Sequence, residues 1–150
     1  MRYSYALSIV FYVCYFIYMG VGTYATDTNI KSRINRLFVF MMASLGLWAF
    51  AFSIMNSAST PEMGAFWGCI SVFGWGVIYS ILLHFVLILT KVNIPTRKWV
   101  MHSIMYAPAV INIILFAPFG ILAEKQYRLV ESDFGWVNVI PMNPGRIWLM

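Results

Sequence analysis

The sequence predicts an all-α fold: a polytopic membrane helical bundle of four spans plus the start of a fifth. Three observations carry that expectation. Of the 150 residues, 61% are hydrophobic and only 10% charged, whereas a soluble domain needs about a quarter charged residues. The apolar residues fall in runs of about twenty, the length at which a helix crosses the hydrocarbon core of a bilayer. The basic residues gather in the short connections between those runs, two of which hold six of the ten Lys and Arg.

The first span covers about residues 4–23. Its apolar run is too long for a signal-peptide core and no A-x-A cleavage pattern follows, so it reads as a retained span. The connection TDTNIKSRINR carries Lys31, Arg33 and Arg36 and leads into a second span at about 37–55. NSASTPE follows, with Glu62 after Pro61, and then a third span at about 64–90, long enough to tilt. KVNIPTRK brings Lys91, Arg97 and Lys98 before a fourth span at about 99–119, which contains Pro108 and Pro118. Residues 120–145 form the only long polar segment. Its RLVESDFGWVNVI alternates and suits a short surface hairpin with FGW as its turn. RIWLM reads as the opening of a fifth span, so residues 1–150 read as a single membrane-embedded domain, truncated from a longer protein.

Charge gives the orientation. Short loops rich in Lys and Arg stay in the cytoplasm, which places the first and third connections inside and the N-terminus and the 120–145 loop outside. Trp99 beside Lys98, and Trp136 in the outer loop, suit interfacial anchoring. The net charge of +5 would suggest nucleic acid in a soluble protein. Here the basic residues set topology and face anionic headgroups, so the expected partner is the lipid bilayer and no nucleic acid.

Few residues inside the spans can do chemistry. Cys14 and Cys69 lie in apolar runs, with no CxxC and no zinc spacing, and read as small buried hydrophobes. No metal and no cofactor is expected. Tyr5, Ser8, Tyr12, Tyr15, Met19 and Gly22 recur at helical spacing along one face of the first span, which either packs inward or lines a ligand cleft. Gly64, Gly68 and Ser71 form a small-residue face in the third span, and GAFWG is a GxxxG of the kind that lets helix backbones approach. Gly74 and Gly76 allow bending or make room for Trp75; GWG lacks the strand-turn-helix setting of a phosphate loop. His84, in LLHFVLIL, is an ionisable group inside a span, either a neutral hydrogen-bonding residue or a proton or ligand sensor. His102 sits near the start of the fourth span and reads as interfacial. Asn112 suits an interhelical hydrogen bond, and Pro108 a kink beside a small cavity. The candidates for ligand binding or interhelical polar contact are thus His84, Tyr12, Tyr15, Trp75, Tyr79 and Asn112. No carboxylate lies within a span, which argues against a proton-coupled transporter and against an enzyme built on acids.

NRLFVFMMASLGLWAF (35–50), FWGCISVFGWGVIYSILLHFVLILT (66–90) and YAPAVINIILF (106–116) together resemble the N-terminal seven-helix sensor region found ahead of bacterial histidine kinases and some diguanylate cyclases. The matching features are Asn35-Arg36, Trp48, Phe66-Trp67, His84-Phe85 and Tyr106-x-Pro108, in order and at similar spacing. The resemblance implies a multi-pass sensor of the bacterial cytoplasmic membrane, with the N-terminus outside. It also implies a homodimer in the full protein and a cytoplasmic output that phosphorylates a response regulator or makes cyclic di-GMP. That output is absent from this chain, so the chain itself is expected to have no catalytic activity, and neither His84 nor His102 is the phosphoacceptor. The expected ligand, small or hydrophobic and unidentified, would sit between helices in the outer half, lined by aromatics and capped by the 120–145 loop. The alternative is a small autonomous membrane protein, acting as a transporter subunit or assembly factor.

Overall fold

A computed structural model of the protein describes residues 4–29, 31–91, 97–123, 129–132 and 135–138. Five helices follow in order: α1 (Ser4–Asn29), α2 (Arg33–Ser57), α3 (Pro61–Ile70), α4 (Val72–Leu89) and α5 (Lys98–Phe116). Two strands, β1 (Leu129–Ser132) and β2 (Gly135–Asn138), come after them. Helices α3 and α4 together make one span, so among the described residues four segments are long and apolar enough to cross a membrane. They run up and down in sequence, with α2 against α1, α3 and α4, and α4 against α5. One end of the bundle therefore gathers the start of α1, the α2–α3 turn, the end of α5 and the β-hairpin. The other gathers the first turns of α2 and α5 and the last turn of α4.

The helix limits depart from the apolar runs. α1 continues to Asn29, six residues beyond the expected span, because its hydroxyls stay within the helix. Thr23, Thr26 and Thr28 each donate to the carbonyl four residues back, on Met19, Gly22 and Tyr24. α2 opens at Arg33, four residues before the apolar run. α3 opens as its sequence suggests: the Thr60 hydroxyl accepts from the Met63 N–H, Pro61 takes the first turn and Glu62 faces the positive helix end. Lys91, at φ 52, ends α4 in the left-handed conformation.

The third span is divided into α3 and α4 at Ser71, whose carbonyl accepts from the Gly74 N–H at 2.9 Å, three residues on, and from the Trp75 N–H at 3.0 Å, four residues on. The Ser71 hydroxyl donates to the Gly68 carbonyl at 2.5 Å. Such tightening and back-bonding bend a helix.

Small residues make up much of the interior: Ala49, Ala51, Ala58, Ala109, Ser44, Ser53, Ser71 and Ser80 are buried, beside Met42, Met55, Val72, Ile81 and Met105, while many large apolar side chains on every helix face outward. That inverts a soluble core and suits helices packed within lipid. The closest approach is at Gly74, where an added Cβ would lie 2.6 Å from the Ser44 carbonyl oxygen and 2.8 Å from the Trp48 Cβ. This glycine brings α2 and α4 together. An added Cβ on Gly64 would instead meet the Leu129 Cδ1 at 2.8 Å, so Gly64 seats the hairpin. Gly68 is buried.

The hairpin pairs Leu129 with Asn138 and Ser132 with Gly135, antiparallel. Gly135 and Trp136, expected in the turn, belong to the second strand. Its connection 133–134, the flanking residues 124–128 and 139–145, and the expected fifth span lie outside the described residues.

Candidate functional site

At the hairpin end, polar groups are matched to one another across α1 and α2. The Ser8 hydroxyl donates to the Ser53 carbonyl at 2.7 Å, and the Ser53 hydroxyl returns a bond to the Ser8 carbonyl at 2.8 Å. One turn away the Ser4 hydroxyl donates to the Asn56 carbonyl. Serines at i and i+4 share a helix face, so two turns of α1 engage two turns of α2. Above them the Trp136 indole N–H donates to the Ala58 carbonyl at 2.7 Å, at the C-cap of α2. Trp136, expected as a lipid anchor, fastens the hairpin to the α2–α3 turn.

Below this lies a chain of rings. Tyr15 meets Phe50 at 5.3 Å between centroids, and Phe50 meets Trp67 at 5.8 Å, linking α1, α2 and α3. The expected α1 stripe is split by the packing. Ser8 and Gly22 are buried, Tyr15 is half-buried, and Tyr5 and Tyr12 point outward at 63% and 45% exposure. The packed face is rotated toward Ser4, Ser8, Phe11, Tyr15, Tyr18 and Gly22. Tyr12 stacks beside Tyr15 and Phe16 on its own helix.

The other end is built from α2, α4 and α5. The Nδ1 of His84 and the hydroxyl of Tyr106 share a hydrogen bond of 2.9 Å between α4 and α5. His102 stands one turn before Tyr106, and its ring meets that of His84 edge-on at 5.0 Å. A groove of about 290 Å³ opens beside them, lined by Arg33, Arg36, Leu37, Phe40, His84, Ile88 and His102. Each helix supplies its share by helical spacing: Arg33, Arg36, Leu37 and Phe40 from one face of α2, and His84 and Ile88 from one of α4. Phe38 and Phe85, at 6.3 Å, hold α2 against α4 alongside.

The remaining candidates do not join this cluster. Asn112 packs its Cβ near Gly76 at the α4–α5 contact, where a glycine Cβ would find it at 3.4 Å. Trp75 is half-buried, and Tyr79 is 73% exposed. Two further grooves, of about 270 and 390 Å³, are apolar and lie beside Met42 and Phe119. Tyr12, Tyr15, Trp75, Tyr79 and Asn112 line none of the three. The sequence singled out His84 but did not join it to Tyr106, Arg33 and Arg36; the pairing of α2 with α4 and α4 with α5 brings them to one place. Among the described residues no three His, Cys, Asp or Glu gather where a metal could bind. The groove offers cations and hydrogen-bond donors above an apolar wall, which suits binding an anion.

Several of the features that carried the resemblance are contact residues. Asn35 donates to the Ala25 carbonyl at 3.4 Å, Trp48 abuts Gly74, Trp67 touches Phe50, and His84 bonds Tyr106. A family model described as the N-terminal 7TM region of histidine kinase matches residues 5–143. No curated protein and no solved structure matches the chain significantly.

Proposed function

The chain belongs to the family of N-terminal 7TM regions of histidine kinases, and on that premise we propose that it is the sensor module of a bacterial two-component or cyclic-dinucleotide signalling protein. A region of this family is a membrane-embedded, non-catalytic input domain. In our reading it receives an external or membrane-borne ligand and passes a helix rearrangement to a cytoplasmic kinase or cyclase. The protein would be a homodimer in the bacterial cytoplasmic membrane, with the hairpin end outside and the arginine end inside, as the basic connections favour.

The observation that carries the reading is the divided third span. Its short part, α3, lies under the hairpin, and its long part, α4, bears His84 at the far end. A ligand held by the hairpin and the Tyr15–Phe50–Trp67 rings would therefore act on one end of an element whose other end makes a polar contact to α5. Binding can bias two packings only if it favours one of them, and the break at Ser71 gives the element a place to bend.

The test uses the complete protein in source membranes. Tyr15→Ala, Trp67→Ala and a replaced 120–145 loop should each change phosphoryl transfer or cyclic-dinucleotide output without changing its amount in the membrane. Unchanged output in all three would sink the reading. An antibody to the 120–145 loop should detect a native product far larger than 17.2 kDa. A product near that mass would favour a small autonomous membrane protein that assists a transporter or an assembly.

A further inference from the structure

We propose that the groove at the arginine end is a binding site for the phosphate group of an anionic phospholipid. It goes beyond the sensor reading and stands whether or not that reading holds.

Four basic side chains, Arg33, Arg36, His84 and His102, line one groove of about 290 Å³, and among the described residues no carboxylate lines it. Both arginines stay protonated at any physiological pH, and like charges so gathered repel one another unless an anion lies between them. A guanidinium presents a planar fork of donors that matches phosphate oxygens two at a time. The histidine rings add polar edges on the opposite wall, where His84 is held by its hydrogen bond to Tyr106 and His102 packs edge-on against it.

The remaining lining residues identify the bearer of the phosphate. Leu37, Phe40 and Ile88 complete the groove, and Phe40 is 63% exposed. Arg33 and Arg36 lie in the first turn of α2, and Phe40 lies about 10 Å beyond Arg33 and about 6 Å beyond Arg36 along the axis at 1.5 Å per residue. The groove thus has a cationic rim and an apolar wall reaching into a helix that is apolar enough to lie in a bilayer. A soluble anion would leave that wall unused. A phospholipid sets its phosphate on the rim and its glycerol and first methylenes against the wall.

Native mass spectrometry of the full chain in mixed micelles of phosphatidylglycerol and phosphatidylcholine tests the site. Phosphatidylglycerol should be retained about tenfold or more over phosphatidylcholine, since each basic residue near anionic lipid contributes about a factor of five. The Arg33→Gln/Arg36→Gln double variant should bring the ratio near one, with helix content unchanged by circular dichroism. Phe40→Ser should lower retention of both lipids. Lys31→Gln, which removes a charge outside the groove, should leave the ratio unchanged, and excess inorganic phosphate should leave phosphatidylglycerol bound. Equal retention of the two lipids would overturn the proposal, as would a Lys31→Gln effect as large as that of Arg36→Gln, which would mean diffuse attraction. Full displacement by inorganic phosphate would overturn the lipid assignment and make this a free-anion site.

Discussion

The two ends of the bundle use polar residues in opposite ways. At the hairpin end the hydroxyls of Ser4, Ser8 and Ser53 and the indole of Trp136 bond backbone carbonyls on neighbouring elements. At the arginine end polar side chains face one another across an open groove, with His84 on Tyr106 and two arginines on the rim. The first arrangement is closed and structural. The second leaves capacity for a ligand. Reading polar residues in a span as functional by default therefore needs a second question, which is whether the partner is backbone or another side chain.

Both ends share the α2–α4 contact at Gly74. Gly74→Val would drive a side chain into Ser44 and Trp48, and overpacking of that kind should cost about 3 kcal/mol. Thermal unfolding in detergent, followed by circular dichroism, should show both ends lost together. Next in size, Trp136→Ala should release the hairpin alone. It removes the bond to Ala58 and the cover of Gly64, at a cost of about 2 kcal/mol. Limited proteolysis should then cut within residues 124–135 while phosphatidylglycerol retention stays unchanged. Altered retention would mean that the ends are coupled at rest. Ser8→Ala and Ser53→Ala should each cost about 0.6 kcal/mol, with less than additive loss in the double variant, read from the same melts. Tyr106→Phe should be mildest, about 0.5 kcal/mol. Its signature is a shift of the His84 ring resonances in NMR with the hairpin signals unmoved.

The number and order of the spans were legible because hydropathy and charge report directly on transfer into lipid. The boundaries were less so. Threonines 23, 26 and 28 look like loop residues but satisfy their hydroxyls inside α1. The GxxxG at Gly64 and Gly68 looked like a helix-docking face, yet Gly64 takes a strand residue, while Gly74, in no such motif, makes the tight helix contact. A small residue announces room but not its occupant. His84 drew notice as a lone ionisable group, whereas the arginines facing it looked like topology signals. Their convergence depends on the adjacency of α2, α4 and α5, which no local pattern encodes.

The interruption at Ser71 has a mechanical consequence. It divides the third span into arms of 10 and 18 residues. His84 lies thirteen residues along the long arm, about 20 Å from the fulcrum at 1.5 Å per residue. A tilt of about 10° there sweeps the imidazole by about 3.5 Å on that rise per residue, further than its hydrogen bond to Tyr106 can stretch. Were the two arms to tilt together as one rigid lever, a movement of about 2.6 Å at the hairpin end of the ten-residue arm would accompany that break.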